Sequence, residues 1–89
     1  MDHDEFIKES KKLVVNYIGE YLDVPEEENI TSNEVYVVWS VKALQNSKAL
    51  LSTPLSDGMY YEVTLNGDKK EIYFDAYKKQ NNICINYEN

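Results

Sequence analysis

The sequence predicts an α+β domain in which one N-terminal helix packs on an antiparallel meander of four to five strands. Three observations carry that expectation. Apolar residues recur at three- and four-residue spacing over residues 4–22, the period of one helix face. From Glu34 onward apolar and polar residues alternate, the period of a strand. Between the two clearest alternating runs stands Asn66-Gly67, the strongest short-range hairpin signal.

In the helix, Phe6, Ile7, Leu13, Val14, Tyr17, Ile18, Tyr21 and Leu22 form the apolar stripe, and Lys8, Glu9, Lys11, Lys12, Asn16 and Glu20 fall mostly opposite. Asp2 or Asp4 is placed to cap the first turn, where a carboxylate also suits the positive end of the helix dipole. Residues 23–33 read as an acidic linker, broken by Pro25 and carrying Glu26-Glu27-Glu28. Three adjacent carboxylates suit a solvated loop better than a cation site.

The sheet is expected over residues 34–87. Val35, Val37, Trp39, Val41 and Ala43 share one face of its first strand; Tyr36, Val38, Ser40, Lys42 and Leu44 share the other. Gln45-Asn46-Ser47 reads as a three-residue turn, which sets Ala43 opposite Ala49 and Val41 opposite Leu51. Pro54 ends the second strand because it has no N–H to give to a ladder. Ser56-Asp57-Gly58 turns the chain into the ribbon around Asn66-Gly67. A four-residue loop, Asn66 to Lys69, pairs Val63 with Ile72 and Tyr61 with Phe74 and keeps both apolar sets on one side. Ile83, Ile85 and Tyr87 then predict a short last strand at an edge, after a polar turn at Lys78 to Asn82.

Composition excludes several classes. A chain of 89 residues is one domain, with a small core and a thin stability margin. Its one cysteine cannot form an internal disulfide, and with one histidine it offers no structural zinc set. No apolar run approaches the ~20 residues that span a bilayer. The N-terminus is acidic where a signal peptide is basic, so a soluble intracellular protein is expected. The net charge is −7, with nine lysines and no arginine, the usual bidentate reader of phosphate and guanine. Direct nucleic-acid binding is therefore disfavoured, and a basic protein partner is favoured.

No stretch points to catalysis. His3 is expected in a mobile terminus and Cys84 as a buried or half-buried structural thiol. No phosphate loop, dinucleotide glycine pattern or metal-ligand cluster is present. The expectation is a non-enzyme without cofactor or metal. The eight tyrosines carry the functional signal instead. Tyr60 and Tyr73, with Tyr36, fall on polar strand faces, Tyr77 falls at a strand end, and Glu62, Glu71 and Asp75 lie among them. Exposed tyrosine beside carboxylates is interface chemistry: large apolar area at low entropy cost, with a hydrogen-bonding tip. These seven residues form the candidate interface. The half-apolar second face of the first strand offers an alternative, a homodimer or larger oligomer with a structural or ligand-sequestering role.

A family resemblance rests on Val35-Tyr36-Val37-Val38-Trp39, on Lys42 to Thr53, on Asp57 to Thr64, and on Asn66-Gly67-Asp68 with Tyr73 to Lys79. The chain resembles a family of short proteins of unknown function encoded by phages and prophages of Gram-positive bacteria. The resemblance implies a phage accessory protein acting in the bacterial cytoplasm on a host or phage protein, with host modulation or inhibition of a defence system as its role. It implies no catalytic residues.

Overall fold

An amphipathic helix and an alternating sheet each have one face to bury, and here they bury it against each other. The computed structural model of the protein describes residues 1–22, 24, 25 and 29–87; Asp23 and the acidic run 26–28 of the expected linker lie outside the described residues. Helix α1 spans His3–Tyr21, and the strands are β1 (Tyr36–Ala43), β2 (Asn46–Ser52), β3 (Met59–Asn66) and β4 (Glu71–Lys78). The strands form one antiparallel sheet in the order β1-β2-β3-β4, so the α+β meander is as expected.

Asp2 caps α1: its Oδ1 accepts the Glu5 N–H at 2.8 Å, which also holds the carboxyl below its ordinary pKa. The buried stripe is Phe6, Ser10, Val14 and Ile18, four residues apart. Ser10, which the apolar pattern omits, is buried because its hydroxyl donates to the Phe6 carbonyl at 2.8 Å, needing no outside partner. Tyr21 leaves the stripe and is exposed, stacked on Tyr17 with ring centroids 5.0 Å apart. After the linker, Ser32–Glu34 form one 3₁₀ turn, closed by Glu34 Oε1 accepting the Thr31 N–H at 3.1 Å.

Under the helix lie Ala49 and Leu51 of β2 and Tyr61, Val63 and Leu65 of β3, all buried, with Val35 closing one end. The helix packs over β2 and β3 and leaves the outer strands β1 and β4 less covered.

The structure corrects three expectations for the sheet. The β1–β2 turn holds two residues, Leu44 and Gln45, because Ala43 pairs with Asn46. That parity sends Trp39, Val41 and Ala43 to the face away from the helix, where Trp39 pairs with Leu50 and Val41 with Lys48. A bulge between Val37 and Trp39 then inserts one residue and restores the phase, so Val37 pairs with Leu51 on the helix side. In the β3–β4 hairpin the four-residue loop is Gly67 to Lys70, one position later than expected. Val63 accordingly pairs with Phe74 and Tyr61 with Ala76. Lys70 ends that loop at φ 56°, and Asn66 Oδ1 accepts the Lys69 N–H at 3.2 Å. Finally, residues 79–87 form no strand: Ile83, Ile85 and Tyr87 are 72%, 79% and 81% exposed. The sheet thus ends at Lys78 rather than 87, with four strands.

Tyr61 is fully buried against Tyr17 and Phe74, with ring centroids at 5.7 and 5.8 Å. Its hydroxyl has no hydrogen-bond partner among the described residues. Burial, then the nearby Asp57 carboxylate, pushes this phenol up to about 12. An unfolded tyrosine ionises near ~10, so between pH ~10 and ~12 the folded chain holds a proton that the unfolded chain has lost. Stability from this group is complete below pH ~10 and falls by about 3 kcal/mol as pH rises through that window. Tyr61→Phe is expected to raise stability at pH 7 by ~1 kcal/mol, by removing an unpartnered buried hydroxyl. It should also flatten the alkaline loss by about 3 kcal/mol. Urea titrations at pH 7 and at successive alkaline pH values check both; identical alkaline slopes for the two chains would disprove the assignment.

Candidate functional site: the open face of the sheet

One face of a four-stranded antiparallel sheet can remain in water, and its residues are then normally polar. Here the face opposite α1 is not. Cross-strand pairing lays it out in rows. Val41, Lys48, Thr64 and Tyr73 form one row, and Trp39, Leu50, Glu62 and Asp75 the next. Toward one end lie Tyr36 opposite Ser52 and Tyr60 opposite Tyr77; toward the other, Asn66 lies opposite Glu71. The seven residues expected to form an interface, Tyr36, Tyr60, Glu62, Glu71, Tyr73, Asp75 and Tyr77, therefore share this one face.

Trp39, Tyr36, Tyr77, Val41 and Tyr73 are 43% to 55% exposed, a run of large apolar groups across both outer strands. The carboxylates sit between them. Lys48 Nζ lies 3.5 Å from Glu62 Oε1, the one ion pair among the described residues of this face. Glu71 Oε2 accepts the Tyr73 hydroxyl proton at 2.5 Å, and that bond raises the Tyr73 pKa by favouring its neutral form. Asp75 has no cation paired with it among the described residues. The arrangement suits recognition of a surface that is part apolar and part cationic: rings to stack, carboxylates to accept.

Trp39 and Val41 belong to this site although sequence alternation assigns them to the interior. Only the parity of the Leu44-Gln45 turn places them here, and neither residue of that turn is glycine or asparagine, the usual sign of a two-residue loop.

His3 is not in a loose terminus but in the first turn of α1. Its Nε2 lies 3.1 Å from Ser40 Oγ and its Nδ1 3.4 Å from Ser47 Oγ. A hydroxyl at that distance is the geometry of a nucleophile and its base, yet the group on the far nitrogen is a second serine, not an orienting carboxylate. The arrangement clamps α1 to β1 and β2. Cys84, expected as a buried or half-buried thiol, is exposed in the C-terminal segment. Among the described residues no group of three or more His, Cys, Asp or Glu side chains is gathered to hold a metal ion. Two grooves of about 280 and 320 Å³ lie beside the C-terminal half of α1 and beside Met1, and among the described residues neither is lined by a carboxylate, histidine or cysteine. Among the described residues, no helix is long and apolar enough to cross a membrane.

No curated protein and no solved structure matches the chain. The model of one protein family does match, over residues 7–87, from the second turn of α1 to the exposed C-terminal segment. That span covers every strand and the whole open face. The protein therefore belongs to this family, a family of unknown function (DUF6275).

Proposed function

We propose that the protein acts without catalysis, by docking the open face of its sheet on another protein. The observation that supports this is the exposed run of Trp39, Val41, Tyr36, Tyr73 and Tyr77 interleaved with Glu62, Glu71 and Asp75. Aromatic groups of this kind carry most of the energy in protein interfaces, and carboxylates around them select a basic partner. With a net charge of −7, the whole chain favours such a partner and repels nucleic acid. The resemblance to short phage and prophage proteins of Gram-positive bacteria fits a phage accessory protein working in the host cytoplasm. Its target is a basic host or phage protein, such as a defence or replication factor. A mimic of nucleic acid is one form this action takes.

The test compares the chain with a Trp39→Ser/Tyr73→Ser double variant as bait in lysate of an infected Gram-positive host. Both side chains are outside the core, so the variant's circular dichroism should match that of the parent. Expected is a basic protein retained at low salt, released as salt rises, and bound at least ~30-fold more weakly by the variant, about 2 kcal/mol. Equal retention by both baits, or none at low salt, would remove the proposal.

A second reading is a homo-oligomer packed through β1, favoured by Val38, Trp39 and Val41 standing exposed on one strand. It requires a dimer or larger species in light scattering that Trp39→Ser converts to a monomer.

A further inference from the structure

The outer edge of β4 is left open on three sides. The strand order ends there, so among the described residues no strand pairs with it. It is uncovered on the open face, where Glu71, Tyr73, Asp75 and Tyr77 are exposed. It is also uncovered on the helix side, because α1 packs over β2 and β3. There Ile72 is 38% exposed, Ala76 is exposed and Phe74 is only half-buried.

An edge strand is normally protected by a bulge, a proline or its own shortness. β1, the other edge, has its bulge, whereas β4 pairs with β3 without interruption from Glu71 to Lys78 and holds no proline or glycine. The chain that follows does not cover this edge. Lys79 donates its N–H to the Gly58 carbonyl at 2.7 Å, which carries the line of β4 onward, and Ile83, Ile85 and Tyr87 stand exposed.

We propose that β4 pairs antiparallel with β4 of a second copy about a two-fold axis at Phe74. Opposed residues of an antiparallel pair share a face, so in a two-fold pair of one strand some residue lies opposite itself. With Phe74 in that place, Ile72 lies opposite Ala76 of the other copy, Tyr73 opposite Asp75, and Glu71 opposite Tyr77, each pair occurring twice. The helix side then reads Val63, Phe74, Phe74, Val63 in one row and Tyr61, Ala76, Ile72, Leu65 in the next, apolar throughout. On the open face each carboxylate of β4 lies beside a tyrosine of the other copy. Lys78 comes opposite Lys70, which lies in the loop at φ 56°, off the ladder.

Neighbouring registers are worse. Moving the axis to Asp75 builds a row of four carboxylates, Glu62, Asp75, Asp75, Glu62, across the joint. Moving it to Tyr73 sets Glu71 against Asp75 twice, and moving it to Ala76 sets Phe74 against Lys78 twice. The aromatic packing agrees with the axis at Phe74. That ring lies 5.4 Å from Tyr17, which stacks on the exposed Tyr21, so two such lines of rings meet at the axis. Two copies then share one eight-stranded sheet with β1 and Trp39 at its outer rims. The pairing goes beyond the docking proposed above and differs from an oligomer packed through β1.

Light scattering at ~100 μM should give twice the 10.4 kDa of one chain. Ala76→Lys puts a charge opposite Ile72 of the other copy twice. Position 76 is exposed in the single chain, so circular dichroism should be unchanged while the dimer weakens by about tenfold or more. Trp39→Ser should leave the dimer intact, so the pairing and the docking are tested by different variants. The register is read with Tyr73→Cys and Asp75→Cys, each carrying Cys84→Ser to remove the one native thiol. Mixed and mildly oxidised, these two should form a covalent heterodimer faster than either cross-links with itself, because 73 and 75 are directly opposed and like positions are diagonal. A strictly monomeric parent chain, a dimer indifferent to Ala76→Lys, a dimer lost with Trp39→Ser, or faster cross-linking of either cysteine variant with itself would each overturn the proposal.

Discussion

Phe6→Ala is expected to lower stability by ~3–5 kcal/mol, the usual result of emptying a buried aromatic site. For a domain of this length the whole stability is ~4–13 kcal/mol, so the loss takes about a quarter of it or more. Phe6 is fully buried in the second turn of α1, where three local devices meet. Its carbonyl accepts the Ser10 hydroxyl, the His3 ring lies 5.9 Å from its own, and the Asp2 cap ends one residue before it. Removing the ring leaves a cavity under the only helix of the described fold, and the lone Cys84 provides no internal disulfide to compensate. Tyr21→Ala is the control: that ring is 70% exposed and touches Tyr17, so its loss should cost no more than ~1 kcal/mol. Thermal unfolding separates the two, since each kcal/mol moves the midpoint by ~4–8 °C in a domain this small. Equal midpoint shifts for the two variants would show that α1 is not pinned through Phe6.

Phe6 was legible in the sequence because a helix face repeats: residues 6, 14 and 18 fall on one stripe, and Asp2 precedes it as a cap. The strands were legible for the same reason, since alternation survives even where register shifts. β3 is the clearest case. Tyr61, Val63 and Leu65 go inward and Tyr60, Glu62 and Thr64 outward, as their spacing requires. A shift of two residues in the β3–β4 register leaves every side chain on its expected face, so the expected interface residues share a face although their expected partners were wrong.

β1 failed on parity rather than on composition. Its first face, Val35 to Ala43, is the more apolar, but the second carries Tyr36, Val38 and Leu44, so the difference in hydrophobicity does not fix which face turns inward. The choice falls to the turn and the bulge. Leu44 occupies positive φ, a conformation costly for a bulky side chain, and the bulge contains no glycine to announce it. Trp39 and Val41, which complete the open face, could be placed only with coordinates. The C-terminal segment failed differently. Its alternation is that of a strand, but a strand needs a neighbour to pair with, and among the described residues the sheet gives it none.

Gly67→Ala is expected to cost about 3 kcal/mol, the upper end for forcing atoms into occupied space. A Cβ added at Gly67 would sit 2.0 Å from the Gln45 carbonyl oxygen and 2.9 Å from its carbon, both backbone atoms that cannot rotate aside. The crowding is part of how the two hairpins are joined, because Asn46 Oδ1 accepts the Gly67 N–H at 3.1 Å from the neighbouring turn. Gly67 does not have positive φ, whereas Lys70 at the end of the same loop does. The two positions therefore want glycine for different reasons: 67 for space, 70 for backbone conformation. Lys70→Gly should be neutral or raise stability by up to ~1 kcal/mol, as the strained lysine is relieved. If the hairpin signal Asn66-Gly67 acted through turn conformation alone, Gly67→Ala would cost only the few tenths of a kcal/mol that separate alanine from glycine at ordinary φ, or would even stabilise. Urea midpoints for Gly67→Ala decide between close approach and turn geometry, because the first predicts a loss of about 3 kcal/mol and the second no more than a few tenths.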